Sequence, residues 1–129
     1  MAALVFDAGA LIALDRGDRG DRGVIALLAL AAHQGSEAIT SSACVAQVWR
    51  DPTRQVRLTR ALQGFIEFPL DELAARRCGL LLAKAHTSDI ADAALALLVQ
   101  GGDTVLTSDP HDIEHLLEAT GTDARIHPV

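Results

Sequence analysis

Short apolar runs alternate with longer segments of helical periodicity, and this alternation constrains the fold of the chain more than any other feature. The runs predicted as strands are LVF, EAIT, GFIEFPL and TVLT, with ARIHPV as a final short strand. The segments between them place apolar residues at helical spacing and several stop at glycine or proline. Strands and helices that alternate in this way form parallel sheets covered by helices. We therefore predict an α/β fold with three α/β/α layers around a parallel sheet of four to five strands.

The length and composition indicate one domain with an aliphatic core. A chain of 129 residues falls within the size of a single ordinary domain, and we expect residues 1–129 to form one. Hydrophobic residues make up 50% of the chain but aromatic residues only 3%, so Ala, Leu, Val and Ile must build the core. That composition suits helices packed on a buried sheet.

The same composition excludes several classes of protein. The apolar stretch VIALLALAA is much shorter than the roughly 20 residues needed to span a bilayer. The N-terminal run MAALVFDAGALIAL has no basic leader and is interrupted by Asp7. Cys44 and Cys78 lie in apolar helical segments, as free thiols do in a reducing compartment. We expect a cytoplasmic protein without a membrane segment, whose net charge of −6 argues against a general basic surface but leaves a local basic strip open.

Three aspartates are predicted to meet at one edge of the sheet. Asp7 follows the strand LVF and Asp109 follows TVLTS. If these strands are neighbours, about 5 Å apart, both carboxylates share the edge at the carboxyl ends of the strands. Asp92, in the segment SDIADAALALL, reaches that edge if its helix begins there. Two like charges 4 Å apart repel by roughly 4 kcal/mol near a protein surface. A hard dication such as Mg²⁺ or Mn²⁺ removes this repulsion and prefers oxygen ligands.

Each of these acids also has a purely structural interpretation, which the sequence leaves open. Asp7 suits a turn after a strand, Asp109 suits a helix cap, and Asp92 suits a solvent-facing helix position. Asp89 suits an N-cap, and Asp112 suits the first turn of a helix, where a carboxylate meets the positive end of the helix dipole.

With these residues in place the chain resembles the PIN-domain family, and within it the VapC-like toxin ribonucleases of bacterial type II toxin–antitoxin systems. The resemblance spans nearly the whole chain. It rests on LVFDAGALIAL, SDIADAALALL and TVLTSDPHDI, which match the family's order of an Asp after the first strand, an Asp in a D-A-x-x-A-x helix and an Asp after a T-x-D strand.

The resemblance implies a PIN-like fold and a metal-dependent endoribonuclease. Asp7, Asp92 and Asp109 then take the catalytic and metal-binding roles, Asp89 and Asp112 are further candidate ligands, and one or two Mg²⁺ or Mn²⁺ ions are expected. The implied partners are an RNA substrate, an antitoxin protein and a second copy of the chain in a homodimer.

The chain departs from the family pattern at one acidic position. The family usually has a glutamate in the helix after the second strand, and the matching stretch ACVAQVWR offers Gln47. An amide supplies an oxygen but neither the negative charge nor a base, so metal affinity is expected to fall unless Asp89 compensates.

Arginines are the candidates for contacts with the RNA backbone, because carboxylates alone repel a polyanion. The predicted RNA-binding residues are Arg16, Arg19, Arg50 and Arg54, with Arg22, Arg57 and Arg60 as further cations. Arg16, Arg19 and Arg22 fall in DRGDRGDRG, which is predicted to be a loop. The arginines of residues 50–60 equally suit a solvated helix face.

Two rival functions remain at the level of sequence. The first is a catalytically weak PIN-like domain that binds RNA or protein, for which Gln47 is the best support. The second is a phosphatase or phosphoacceptor domain. That class usually needs paired aspartates after the first strand and a lysine near the sheet edge, whereas this chain has a single Asp there and Lys84 as its only lysine.

Overall fold

A computed structural model of the protein describes residues 2–17 and 22–129. The described strands and helices, in chain order, are β1 (Leu4–Phe6), α1 (Ala8–Arg16), α2 (Arg22–Gln34), β2 (Ala38–Ser41), α3 (Ser42–Val48), α4 (Val56–Gln63), β3 (Ile66–Phe68), α5 (Glu72–Ala85), α6 (Ile90–Leu98), β4 (Thr104–Thr107), α7 (Pro110–Thr120) and β5 (Arg125–Pro128).

The five strands form one parallel sheet in the order β3-β2-β1-β4-β5. β1 lies at the centre, where Val5 pairs with Ile39 of β2 on one side and with Val105 of β4 on the other. Two groups of helices, α1–α4 and α5–α7, pack among themselves, and each group contacts the sheet. The predicted α/β class, with a central parallel sheet covered by helices, is confirmed.

The core is aliphatic, as the composition predicts. Val5, Val105 and Leu106 of the central strands are fully buried, and helix side chains such as Leu11 and Leu95 cover them. Phe6 makes the one aromatic contact among the described residues, an edge-to-face packing on Phe65 with ring centroids 4.8 Å apart. Because parallel strands in the middle of a sheet are buried on both faces, β1 is apolar throughout and β4 has threonine only at its two ends, Thr104 and Thr107.

Three predicted boundaries differ from the structure. The segment SDIADAALALLVQGG predicts a helix that ends on its glycine pair, Gly101 and Gly102, but α6 ends at Leu98, three residues before that pair. No turn separates β1 from α1, since Asp7 ends the strand and caps the helix at once. The predicted loop at residues 15–23 is helical at both ends, because α1 includes Asp15 and α2 begins at Arg22; residues 18–21 lie outside the described part.

Within residues 2–17 and 22–129, no helix is both long and apolar enough to cross a membrane.

Candidate metal centre

Three carboxylates from distant parts of the sequence meet at the carboxyl edge of the sheet. Asp7 follows β1, Asp109 follows β4, and Asp92 lies in the first turn of α6. One carboxylate oxygen from each lies within 4.8 Å of the other two. The pairing of β1 with β4 explains the approach of Asp7 and Asp109, because adjacent parallel strands end at the same edge. α6 joins them because it begins at this edge.

Asp7 is held rigidly and is 1% exposed. Its Oδ1 accepts a hydrogen bond from Ala10 N–H at 2.8 Å, which caps α1. Its Oδ2 accepts from Ser108 N–H at 3.0 Å, and the Thr107 side chain donates to the same carboxylate. Burial raises the pKa of Asp7 above its usual range, although these donors act in the opposite direction. The carboxylate is therefore fixed in place while its charge remains costly.

Asp92 is the acid whose surroundings satisfy it least. It is 6% exposed, and its buried Oδ2 has no hydrogen-bond partner among the described residues. Burial, followed by repulsion from Asp89, Asp109 and Asp7, raises the pKa of Asp92 to about 7. A buried polar atom without a partner is rare in a folded protein because it loses its hydration without replacement. An ordered cation in front of Oδ2 would supply the missing partner.

Asp109 completes the group from the exposed side. It occupies the N-cap position of α7, but its side chain makes no capping hydrogen bond. Its backbone N–H instead donates to Thr107 Oγ1 at 2.8 Å. The carboxylate of Asp109 is consequently not used in capping its own helix. Thr107, which is fully buried, contacts both Asp7 and Asp109 through one hydroxyl.

Gly9 permits the close approach that builds this edge. A Cβ atom at Gly9 would lie 2.2 Å from Ser108 Oγ and 2.4 Å from Ser108 Cβ, far inside contact distance. The first turn of α1 therefore rests directly on the loop between β4 and α7. The glycine of LVFDAGALIAL has this steric role, which depends on packing between distant segments.

The remaining predicted acids lie close to the group but outside it. Asp89 is exposed and is the N-cap of α6, where its Oδ1 accepts from Asp92 N–H at 2.9 Å. Asp112 is exposed in the first turn of α7. Both raise the pKa of Asp92 through repulsion, so their charges reach the site, but neither is among the three acids that converge. Their role as metal ligands stays a prediction.

Gln47 is exposed on α3 and does not belong to the group of three acids. The residue of α3 that lies against the acids is Cys44, one turn earlier. Its buried thiol contacts the carbonyl oxygen of Ala91 at 3.6 Å, and burial together with the charges of Asp7 and Asp92 raises its pKa to about 12. The thiol is thus neutral and packs as a small apolar group. In the sequence, Cys44 is distinguished only by its apolar helical position.

The predicted RNA-binding arginines fall into three situations. Arg50 donates to the carbonyl oxygens of Ala46 and Trp49 at 3.1 and 2.7 Å, so it caps the end of α3. Arg16 and Arg54 line a common cleft, which also contains Arg57. Arg19 lies outside the described residues.

The donor set fits a hard dication and not a soft one. The three converging ligands are carboxylates, two of them buried, which are the ligands that Mg²⁺ and Mn²⁺ prefer. No thiol or imidazole belongs to this group of three acids, so the group lacks the ligands that zinc prefers.

Comparison with known proteins identifies the fold alone. No protein-family model and no curated protein matches the sequence. A chain in the crystal structure of VapBC2 from Rickettsia felis bound to a DNA fragment from their promoter is similar with a TM-score of 0.68 and 11% identity, covering 97% of this chain and 98% of that one. FitAcB from Neisseria gonorrhoeae gives a TM-score of 0.60 and 16% identity, over 95% of this chain and 96% of that one. FitAB bound to an IR36 DNA fragment gives 0.63 and 16%, over 95% and 94%.

These findings correct one inference from the sequence. The chain has a three-layer α/β fold similar to that of chains in the VapBC2 and FitAB structures. Its assignment to the VapC-like toxin family was wrong, because no family model matches and the identities of 11–16% support a common fold only. The three motifs on which that assignment rests predict where the strands, helices and acids lie, and they do not establish the family.

Proposed function

We propose that this chain is a metal-dependent nuclease that hydrolyses RNA phosphodiester bonds. The observation that carries the proposal is the meeting of Asp7, Asp92 and Asp109, one of which, Asp92, has a buried oxygen that lacks a partner among the described residues. A buried carboxylate charge without a counter-charge is strongly unfavourable, whereas a carboxylate that binds a cation is compensated. The three acids are proposed to hold Mg²⁺ or Mn²⁺.

The bound cation would supply a water of lowered pKa and stabilise charge on the leaving oxygen of the phosphodiester. The residues of the chain have distinct tasks around it. Asp7 would be the buried ligand whose position is set by hydrogen bonds from Ala10, Ser108 and Thr107. Asp92 would contribute a buried carboxylate, one oxygen of which has no partner among the described residues, and exposed Asp109 would be the ligand open to solvent and to substrate. A second ion would need Asp89 or Asp112.

Partners are proposed on the same basis. A second protein that places a guanidinium among the three carboxylates would compete with the cation and restrain the activity, which is the role proposed for an antitoxin. The predicted homodimer stays a prediction, and sedimentation equilibrium would test it. Location in the cytoplasm is proposed from Cys44 and Cys78, which are both free and buried.

Cleavage of single-stranded RNA with Mg²⁺, with Mn²⁺ and with EDTA tests the proposal. Asp92→Asn should reduce metal-dependent cleavage by at least about 100-fold, because it removes a ligand charge while keeping the size of the side chain. Asp123→Asn, at an exposed aspartate outside the group, is the matched control and should cleave like the parent. Cleavage that continues in EDTA, or that Asp92→Asn leaves unchanged, would contradict the proposal.

A second candidate is an RNA-binding module with little or no catalysis. It is favoured by Gln47, which is neutral and exposed where a fourth acid was expected. In that case the same experiment would show RNA bound but intact in every metal, with the parent and Asp92→Asn indistinguishable.

A further inference from the structure

A cationic cleft lies where the end of α1 meets the start of α4. It encloses about 440 Å³ and is lined by Asp15, Arg16, Arg54, Val56 and Arg57. α1 packs against α4, so the cleft belongs to the same group of helices that carries Asp7 at its opposite end. The cleft is lined by three arginines and one aspartate, so its local charge is positive although the chain has a net charge of −6.

The guanidinium of Arg57 contacts the backbone at the end of α1. Its Nη1 donates to the carbonyl oxygen of Arg16 at 3.0 Å, at the end of α1. Gly17 follows with φ 58°, and a Cβ atom there would lie 2.0 Å from Arg57 Nη1 and 2.4 Å from its Cζ. The positive φ of Gly17 favours glycine at this position, and the absence of a side chain lets the guanidinium lie on the backbone. The hydrogen bond to Arg16 places the guanidinium of Arg57 at the end of α1.

The guanidinium of Arg57 retains unused donors. An arginine has five N–H donors in a planar fork, and the bond to Arg16 uses one of them. Among the described residues Arg57 has no acidic partner within ion-pair distance, and Arg54 has only an exposed contact with Asp51 at 3.7 Å. Such a contact contributes little in water. Within residues 2–17 and 22–129, Asp15 is the one carboxylate that lines the cleft with the three arginines, so this part of the cleft has a net positive charge.

We propose that this cleft binds a backbone phosphate of single-stranded RNA, with Arg57 as the central contact and Arg16 and Arg54 beside it. The inference rests on the proposed nuclease function. α1 contains nine residues, so the cleft lies about 13 Å from the acids, within the span of a short oligonucleotide. Guanidinium groups bind phosphate through paired N–H donors, and contacts of this kind position a nucleic acid without reading its sequence.

Binding of a fluorescein-labelled single-stranded RNA of about 12 nucleotides, measured by fluorescence anisotropy in EDTA, tests this site. Arg57→Gln removes the charge and shortens the side chain, so its amide no longer reaches the Arg16 carbonyl that Nη1 of the arginine contacts. We expect it to weaken RNA binding about fivefold and to reduce the slope of log K against log salt by about 0.7, the value for one phosphate contact on a single strand. Arg125→Gln, on β5 at the far edge of the sheet, removes the same charge elsewhere and should change neither quantity.

Equal losses for Arg57→Gln and Arg125→Gln would overturn the proposal, because they would reflect net charge alone. An unchanged affinity for Arg57→Gln would also overturn it. Thermal unfolding of both variants shows that the fold is kept. The binding measurement needs no turnover, so the two proposals can fail separately. Failure of the nuclease proposal would be seen as RNA that stays uncleaved in Mn²⁺. Failure of the phosphate-binding cleft would be seen as cleavage that continues while Arg57→Gln binds RNA with unaltered affinity.

Discussion

At the scale of single residues, Asp92 carries conflicting requirements. The segment IADAALALL is otherwise apolar, and residues 91–96 are all buried, so the position favours a neutral side chain. A carboxylate there is costly, as its pKa of about 7 shows. The sequence predicts Asp92 as a candidate from its apolar surroundings. It does not predict that Oδ2 lacks a partner, because that depends on which atoms of distant segments pack around it.

Asp92→Asn is expected to stabilise the metal-free protein and to abolish its response to Mn²⁺. The amide removes repulsion from Asp7 and Asp109 with little change in volume, so we expect a gain of about 1 kcal/mol at neutral pH, or a rise of roughly 3 °C in Tm. Thermal unfolding with and without Mn²⁺ measures both effects. A variant that is less stable than the parent and still stabilised by Mn²⁺ would show that Asp92 is not a ligand.

At the scale of secondary-structure elements, the site depends on how α1 meets the loop between β4 and α7. The sequence predicts the helices α1 and α7 and the aspartates that precede them, Asp7 and Asp109. It predicts neither the contact between Gly9 and Ser108 nor the cleft beside Arg57, since both arise from packing between elements. The end of α6 at Leu98 was missed for a similar reason: Val99 is buried in extended conformation, although its apolar character fits the helical pattern.

Gly9→Ala should separate α1 from this loop. The added Cβ would lie 2.2 Å from Ser108 Oγ, so the elements must shift, at a cost of about 1–3 kcal/mol, and Asp7 moves away from Asp109. Isothermal titration should show Mn²⁺ affinity reduced about tenfold. Gly79→Ala is the matched control, because a Cβ atom at Gly79, in the middle of α5, meets nothing within 4 Å. This substitution should stabilise the protein by about 0.5–1 kcal/mol, since alanine favours a helix more than glycine does. Similar behaviour of the two variants would refute the steric argument.

Thr107→Val should weaken metal binding through the loss of one hydroxyl. That hydroxyl donates to Asp7 and accepts from Asp109 N–H at 2.8 Å, so its removal costs about 1–3 kcal/mol and loosens two acids together. Thr40→Val is the control, since Thr40 is equally buried but donates to the Phe6 carbonyl at 2.8 Å. We expect both variants to lose stability in urea titration and only Thr107→Val to lose Mn²⁺ affinity. Equal Mn²⁺ affinity in the two would contradict this role.

At the scale of the whole molecule, the acids make stability depend on pH in an unusual direction. The pKa values of Asp7 and Asp92 are raised in the folded protein, so the folded state binds more protons than the unfolded state. The free energy of unfolding contributed by these groups therefore falls as pH rises, for Asp92 between the unfolded value of 3.8 and about 7. This dependence should vanish when a cation holds both carboxylates in their charged form.

The metal-free protein should accordingly become more stable as pH is lowered from about 8 to about 5. Urea unfolding at several pH values in EDTA measures the slope, and the same series in saturating Mn²⁺ should be flat or reversed because protonation then competes with the ion. Asp92→Asn isolates the contribution of Asp92, and its slope in EDTA should be shallower than that of the parent. An identical slope in the two proteins would show that other groups produce the effect.

The central pairing of β1 with β4 has a consequence for how the protein folds. Asp7 and Asp109 lie about a hundred residues apart in the sequence, and they meet only when β4 pairs with β1. That pairing closes a long stretch of chain, which includes β2 and β3, so its entropy cost must be met before the contact is made. The acidic cluster is therefore expected to assemble late in folding, after the local helices have formed.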